Sequence, residues 1–236
     1  MMTFSMRRFS AIFRKEMRDF KSNSQVLMMI GVPVLFAIIY GQAEQFRGVA
    51  ANLTVIMALV FIGGFVQAMM IAEEKEKHTL RVLMLSPASS AEVLIGKSFL
   101  TGITTIVVCF TNLLILDKLE GNIVLLFFIF LLGTILFNLI GTCIGLLAQN
   151  VPQTSLIGMP ILFIFLLSDL LEMFVKNESL KKVFQYLPTK SIGEAMNSVI
   201  QGKGFSVISG NVLNISIWLV AALVICLFLY KKKQLD

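Results

Sequence analysis

The chain has 236 residues, of which 57% are apolar and only 14% charged, with a net charge of +6 and a mean hydropathy of +0.86. A water-soluble domain of this size must wet its own exterior, so this composition excludes one. The basic residues do not gather on one face as nucleic-acid binding requires; they sit at the N-terminus, after residue 72, in a late loop and at Lys231–Lys233, as at the edges of a bilayer.

Residues 4–21 predict a helix lying on the membrane surface. Phe9, Ile12, Phe13, Met17 and Phe20 share one face at helical spacing, and Arg7, Arg8, Arg14, Lys15, Arg18 and Lys21 flank it. The same cations interrupt any apolar core of a cleavable signal peptide. Such a helix serves either as an anchor or as a lever that carries force.

A crossing needs about 20 apolar residues, and six runs qualify or come close. They lie near 26–40, 49–72, 94–116, 123–148, 156–174 and 212–230. Gly31 and Pro33 are expected to break the first, and Pro160 to bend the fifth. The reading is a single all-α transmembrane domain over 1–236, with six spans and a long loop at 175–211. An even number of spans puts both termini on one side. With that side cytoplasmic, inner segments carry 13 Lys and Arg against 7 outside, which favours both ends in the cytoplasm. Cys109, Cys143 and Cys226 fall within apolar runs and read as buried free thiols.

The most informative stretch joins the second and third spans, at 73–93. Its charged first half carries Leu80, Leu83 and Met84 at helical spacing, which describes a short helix with one apolar face parallel to the membrane. Pro87 ends it, and Ser89 with Glu92 forms a capping-box pattern for the third span. A helix held between two spans transmits a push from a cytoplasmic partner; the plainer reading is a solvated loop with ordinary caps.

Polar residues inside the spans are costly in lipid unless they face protein or water. Asn52, Gln67, Asn112, Asn138 and Asp169 are therefore either pathway residues or interhelical hydrogen-bonding groups worth about 0.6 kcal/mol each. Asp169, near the end of its span, is also placed to reach the headgroups. Gly141-Thr-Cys-Ile-Gly145 is a small-xxx-small pattern that more often packs helices than contacts cargo.

The run Glu73-Glu74, Glu76, Thr79-Leu80, Leu83, Ser86-Pro87, Glu92 and Gly96-Lys97 resembles the cytoplasmic loop of permease subunits of ATP-binding-cassette exporters of the second type. A later run, Leu187-Pro188, Ile192, Glu194-Ala195 and Gly202, resembles the outer re-entrant segment before their last span. In that segment Ser191 and Glu194 suit a capping box and Gly202 a helix stop. The basic N-terminus and six-span layout agree, so the resemblance covers nearly the whole chain. It departs at His78 and Arg81, where the family commonly has Gly and an acid, and at Leu167-Ser168-Asp169-Leu170, where it has Gly-Phe-Pro.

The resemblance implies a transport subunit and not an enzyme, clasped with a second permease subunit on cytoplasmic ATPase subunits that hold ATP and Mg. Glu73, Glu74, Glu76, Thr79, Leu80, Leu83 and Pro87 are then the residues that meet the ATPase. No phosphate-binding loop is present here: Ala91 stands where the first glycine before Gly96-Lys97 belongs. The implied location is the plasma membrane. An amphipathic or hydrophobic cargo (drug, peptide or lipid-linked molecule) fits spans so poor in charge.

Two other classes fit the sequence less well. An intramembrane protease would use the paired glutamates Glu73-Glu74 with histidines on other spans, but His78 is the single histidine in the chain. An ion-coupled secondary transporter would show paired repeats and ionisable groups at mid-membrane; Pro33 and Pro160 interrupt spans, yet no charge sits at mid-depth.

Overall fold

The computed structural model describes residues 17–18, 20–76 and 90–234, with side chains described over 17–18, 20–76 and 98–231. Every regular element among them is helical: α1 Ser24–Gly41, a 3-10 turn Glu44–Phe46, α2 Arg47–Ala58, a π-helical stretch Leu59–Val66, and α3 Gln67–Glu76. After these come α4 Ser90–Ile115, α5 Ile123–Leu147, α6 Val151–Leu166, α7 Ser168–Phe174, α8 Glu178–Gln185, α9 Pro188–Ile200 and α10 Phe205–Gln234. Among the described residues five helical units are long and apolar enough to cross a membrane, and α6 with α7 makes a sixth if that bent pair is one span.

The centre of the molecule is a 33-residue helical rod, Glu44–Glu76, formed by the 3-10 turn, α2, the π stretch and α3. Small residues run along it: Ala50, Ala51, Ala58, Gly63, Gly64, Ala68 and Ala72. In lipid, apolar surface alone does not draw helices together, and small residues permit the close backbone approach that does. Helices α1, α4, α5, α6 and α9 all pack on this rod. The closest approach is made by α5. A Cβ on Gly141 would overlap the carbonyl oxygen of Gly64, and one on Gly145 would lie 2.7 Å from that of Ala68. The Gly141–Gly145 pattern thus packs helices, the commoner of its two readings. Edge-to-face rings then tie in the outer helices, with Phe165 5.6 Å from Phe137 of α5 and 6.0 Å from Trp218 of α10.

Three sequence expectations need correction. The first span is not broken: α1 runs uninterrupted through Gly31 and Pro33, started by Asn23, whose side chain accepts from the amides of Gln25 and Val26. In hydrocarbon a break would orphan further backbone groups that water cannot serve, so the helix tolerates one lost bond instead. Pro160 likewise lies within α6, and the chain turns by 73° later, between α6 and α7. There Leu167 leaves helical geometry (φ −98°, ψ 16°), and Ser168 meets Thr189 hydroxyl to hydroxyl at 3.1 Å. The bend thus falls where this tertiary contact is made and not at the proline.

The third correction concerns Ser191 and Glu194. Helix α9 opens at Pro188, with Leu187 as its N-cap, so these residues lie inside the helix and make no capping box. They hold the last span instead. Ser191 Oγ accepts from Asn214 Nδ2 at 2.7 Å, and Glu194 Oε2 from Asn211 Nδ2 at 3.0 Å. Gly202 does end α9. Its φ of +78° suits glycine, with Gly202 N–H bonded to Val199 O and Lys203 N–H to Ser198 O. The last helix starts at Phe205, seven residues earlier than expected, which shortens the 175–211 loop and fills it with α8 and α9.

Candidate functional site

The sequence points to the end of the bundle where the rod stops and α4 begins. Of the residues singled out there, Thr79, Leu80, Leu83 and Pro87 lie outside the described residues, as do Ser89, Phe9 and Phe13. Glu73, Glu74, Glu76, Met17 and Phe20 are described.

Glu74, although a carboxylate, is 5% exposed, while Glu73 is half-buried and Glu76 exposed. Between them Lys75, which sequence reading did not single out, reaches across to α5. Its Nζ donates to the carbonyl of Leu146 at 2.8 Å and also to that of Ala148. Those carbonyls belong to the end of α5, where the last four lack helical partners and carry the negative end of the helix dipole. Glu76 takes the opposite role one residue on, where its Oε2 accepts from Val151 N–H at 3.0 Å, the first amide of α6. Cation on a C-terminus and anion on an N-terminus are both favourable, each typically worth about 0.3–1 kcal/mol. The dipeptide Lys75-Glu76 therefore fastens the rod to both sides of the α5–α6 turn. The turn is itself built up: Asn150 caps α6 by accepting from Gln153 N–H at 2.9 Å, and Gln153 Oε1 accepts from Gln149 N–H at 2.6 Å.

Behind this clamp, Phe20 is buried with Val26, Val66, Met70 and Leu100, and Met17 packs beside them. Residues 17, 18 and 20–22 are helical. The chain just before α1 is thus wedged against the rod at Val66 and Met70.

Deeper in the bundle the polar residues divide into two groups. Gln67, wholly buried, donates from Nε2 to Ser98 Oγ at 2.9 Å and to Thr142 Oγ1 at 3.1 Å, and its Oε1 accepts from Thr101 Oγ1 at 2.8 Å. Asn138 joins this cluster by donating from Nδ2 to the Ser98 carbonyl at 2.9 Å. One network thereby ties α3, α4 and α5 together. Asn112 Nδ2 adds a bond to the Thr54 carbonyl at 3.1 Å, from α4 to α2.

The second group lies at the opposite end of the spans. Asn52 Nδ2 donates to Asp169 Oδ2 at 3.3 Å. Lys190 Nζ pairs with Asp169 at 3.3 Å and with Glu172 at 3.1 Å. Burial would depress the Lys190 ammonium, but the hydrogen bond it donates to Glu172 and the charge of Asp169 outweigh it and hold the group above the ordinary lysine range. Asp169 thus meets two protein partners, Asn52 and Lys190. Lys75, Ser98, Thr101, Thr142, Glu172 and Lys190 escaped sequence reading because their partners are backbone carbonyls or side chains on distant helices. Nothing local marks them.

Residues 15–230 match the family described as ABC-2 family transporter protein. The chain belongs to that family and is a membrane transport subunit, not a catalyst. No curated protein shows significant similarity to it.

Proposed function

We propose that this member of the ABC-2 family is the membrane-spanning permease subunit of an ATP-driven exporter, worked by a separate cytoplasmic ATPase. The observation that carries the reading is the clamp at the base of the 77–89 segment. Lys75 and Glu76, which immediately precede that segment in the chain, join the rod to the ends of α5 and α6. A conformational signal needs such a physically connected element. Met17 and Phe20, packed on Val66 and Met70 of the same rod, give the N-terminal segment a second hold on it and favour lever over anchor.

The working unit is two permease subunits, as a homodimer or heterodimer, with ATP and Mg held on the ATPase subunits. Both termini are cytoplasmic in the plasma membrane, in keeping with the excess of Lys and Arg on that side. The cargo is amphipathic or hydrophobic, since Gln67 and Asn138 are engaged between helices and leave the spans little polar surface. The ion-coupled alternative draws no support from the paired Asp169, Glu172 and Lys190, which lie at the end of the spans rather than at mid-depth.

The test uses the tagged chain purified from its native membranes with its ATPase and reconstituted in vesicles. Leu80→Asp with Leu83→Asp should leave membrane insertion intact and cut ATP-dependent uptake of an amphipathic fluorescent dye on the order of ten-fold. Dye uptake driven by a proton or sodium gradient without ATP would overturn the reading. In intact cells, a thiol reagent should label Lys203→Cys from outside and not Gln234→Cys.

A further inference from the structure

Two of the three thiols meet across helices. By helical spacing Cys143 falls on the side of α5 away from Gly141 and Gly145, which pack on the rod. Its thiol points to α10, with Sγ 3.9 Å from the carbonyl oxygen of Ala222. Ala222 and Cys226 stand one turn apart on the same face of α10. The Cys143 and Cys226 thiols lie within hydrogen-bonding reach of each other. Both are free thiols, Cys143 buried and Cys226 half-buried, whereas Cys109 is wholly buried in the core.

Helix α10 is held unevenly along its length. Near its start three polar side chains pin it: Asn211 to Glu194, Asn214 to Ser191, and Trp218 Nε1 to the Tyr186 carbonyl at 2.8 Å. Past Trp218, Ala222 and Cys226 make the contact with Cys143, and a thiol is a weak donor. Both cysteines also lie near the end of the spans. Cys143 is four residues before α5 stops at Leu147, and Cys226 is five before Lys231. At 1.5 Å per residue these are depths of about 6 and 8 Å.

We propose that Cys143 and Cys226 form a paired modification site, at which a small, uncharged disulfide closes a reversible bridge between α5 and α10. The half-buried Cys226 is the sulfur that such a reagent reaches first. Cys226 sulfur attacks the reagent's S–S bond and expels one thiol, which carries off the Cys226 proton. Cys143 sulfur then attacks Cys226 sulfur and expels the second thiol with its own proton. Two protein thiols are oxidised to one disulfide, and one reagent disulfide is reduced to two thiols. Converging side chains are the geometric condition for the bridge. Its product is neutral, so it leaves no charge among the spans. The bridge ties the weakly held half of α10 to α5, which is already locked on the rod. The inference does not rest on the exporter reading.

The experiment uses the full chain in nanodiscs, treated with dipyridyl disulfide, quenched in acid and denatured. Free thiols counted with a polyethylene-glycol maleimide should fall from three to one, the survivor being Cys109, and return to three with dithiothreitol. In a Cys109→Ala chain, cyanogen bromide cleaves after Met84, Met159 and Met196, so fragments 85–159 and 197–236 should emerge joined. Cys143→Ser or Cys226→Ser should abolish the joint, and either variant suffices if the other misfolds. The bridged chain should unfold about 4 °C or more above the reduced chain. Three surviving thiols, equal loss of Cys109, a pyridyl group retained on Cys143 or Cys226, or a link between two chains on a non-reducing gel would each overturn the site. A midpoint no higher than that of the reduced chain would overturn the tie.

Discussion

The central rod and the last helix, α10, are comparably apolar spans, yet 94% of the rod's apolar window is buried inside the protein against 11% for α10. Hydropathy does not distinguish them. The difference follows from side-chain size and from what reaches across. The rod carries a row of alanines and glycines and receives Gly141, Gly145, Gln67's partners and the Phe137 ring, whereas α10 presents Leu223, Val224, Leu227 and Phe228 outward. In a bilayer, large apolar side chains are at home in lipid, so burial goes to helices whose backbones can come close. The lesson is that hydropathy does not say which span of this chain is buried, and that small side chains mark where backbones meet, with large ones such as Leu59, Ile62 and Phe65 buried between them.

Gly141→Ala should break that comparison most severely, because the added methyl meets the backbone of Gly64 rather than a movable side chain. Overpacking of this kind costs roughly 1–3 kcal/mol or more, and the expected outcome is a large loss of monodisperse protein on size-exclusion after mild heating. Normal yield and thermal stability would mean that the rod and α5 are not locked as described.

Lys75→Met tests the rod at its tip. Removing the ammonium leaves the carbonyls of Leu146 and Ala148 without their donor, a loss of about 1–3 kcal/mol for charge-assisted bonds. Lys75→Arg should retain most of the stability in a thermal unfolding series. If Met and Arg behave alike, the clamp is ornamental.

A smaller change is expected from Gln67→Leu, which removes three side-chain bonds but fills the site with apolar volume. Interhelical polar contacts in membranes are weak, so a cost near 1 kcal/mol is expected. A cycle with Thr101→Ala should show coupling, since Thr101 donates to the Gln67 carbonyl oxygen. Additive effects would separate the two residues energetically.

The smallest effect belongs to the last helix. Val224→Ala or Leu227→Ala removes side chains that already face outward, and each should shift stability by less than about 0.5 kcal/mol. A destabilisation as large as that of Gly141→Ala would mean that a partner subunit covers this face, which would turn α10 from a lipid-facing helix into an interface.

The sequence by itself determined that the protein is helical and membrane-embedded. Each span announces itself through an uninterrupted apolar run, and lipid admits no other backbone solution for such runs than the helix. It also placed the span ends within a few residues for α1, α5 and the rod, and Gly202 as a stop, because caps and charges act over one helical turn. Only the tertiary structure decided the rest. The bend after α6 falls where Ser168 meets Thr189, and Ser191 and Glu194 serve Asn214 and Asn211 rather than their own helix. Lys75 matters through two carbonyls about seventy residues away in the chain. These features arise from groups far apart in sequence whose encounter is set by how closely backbones pack. No local pattern of size, charge or periodicity encodes that distance.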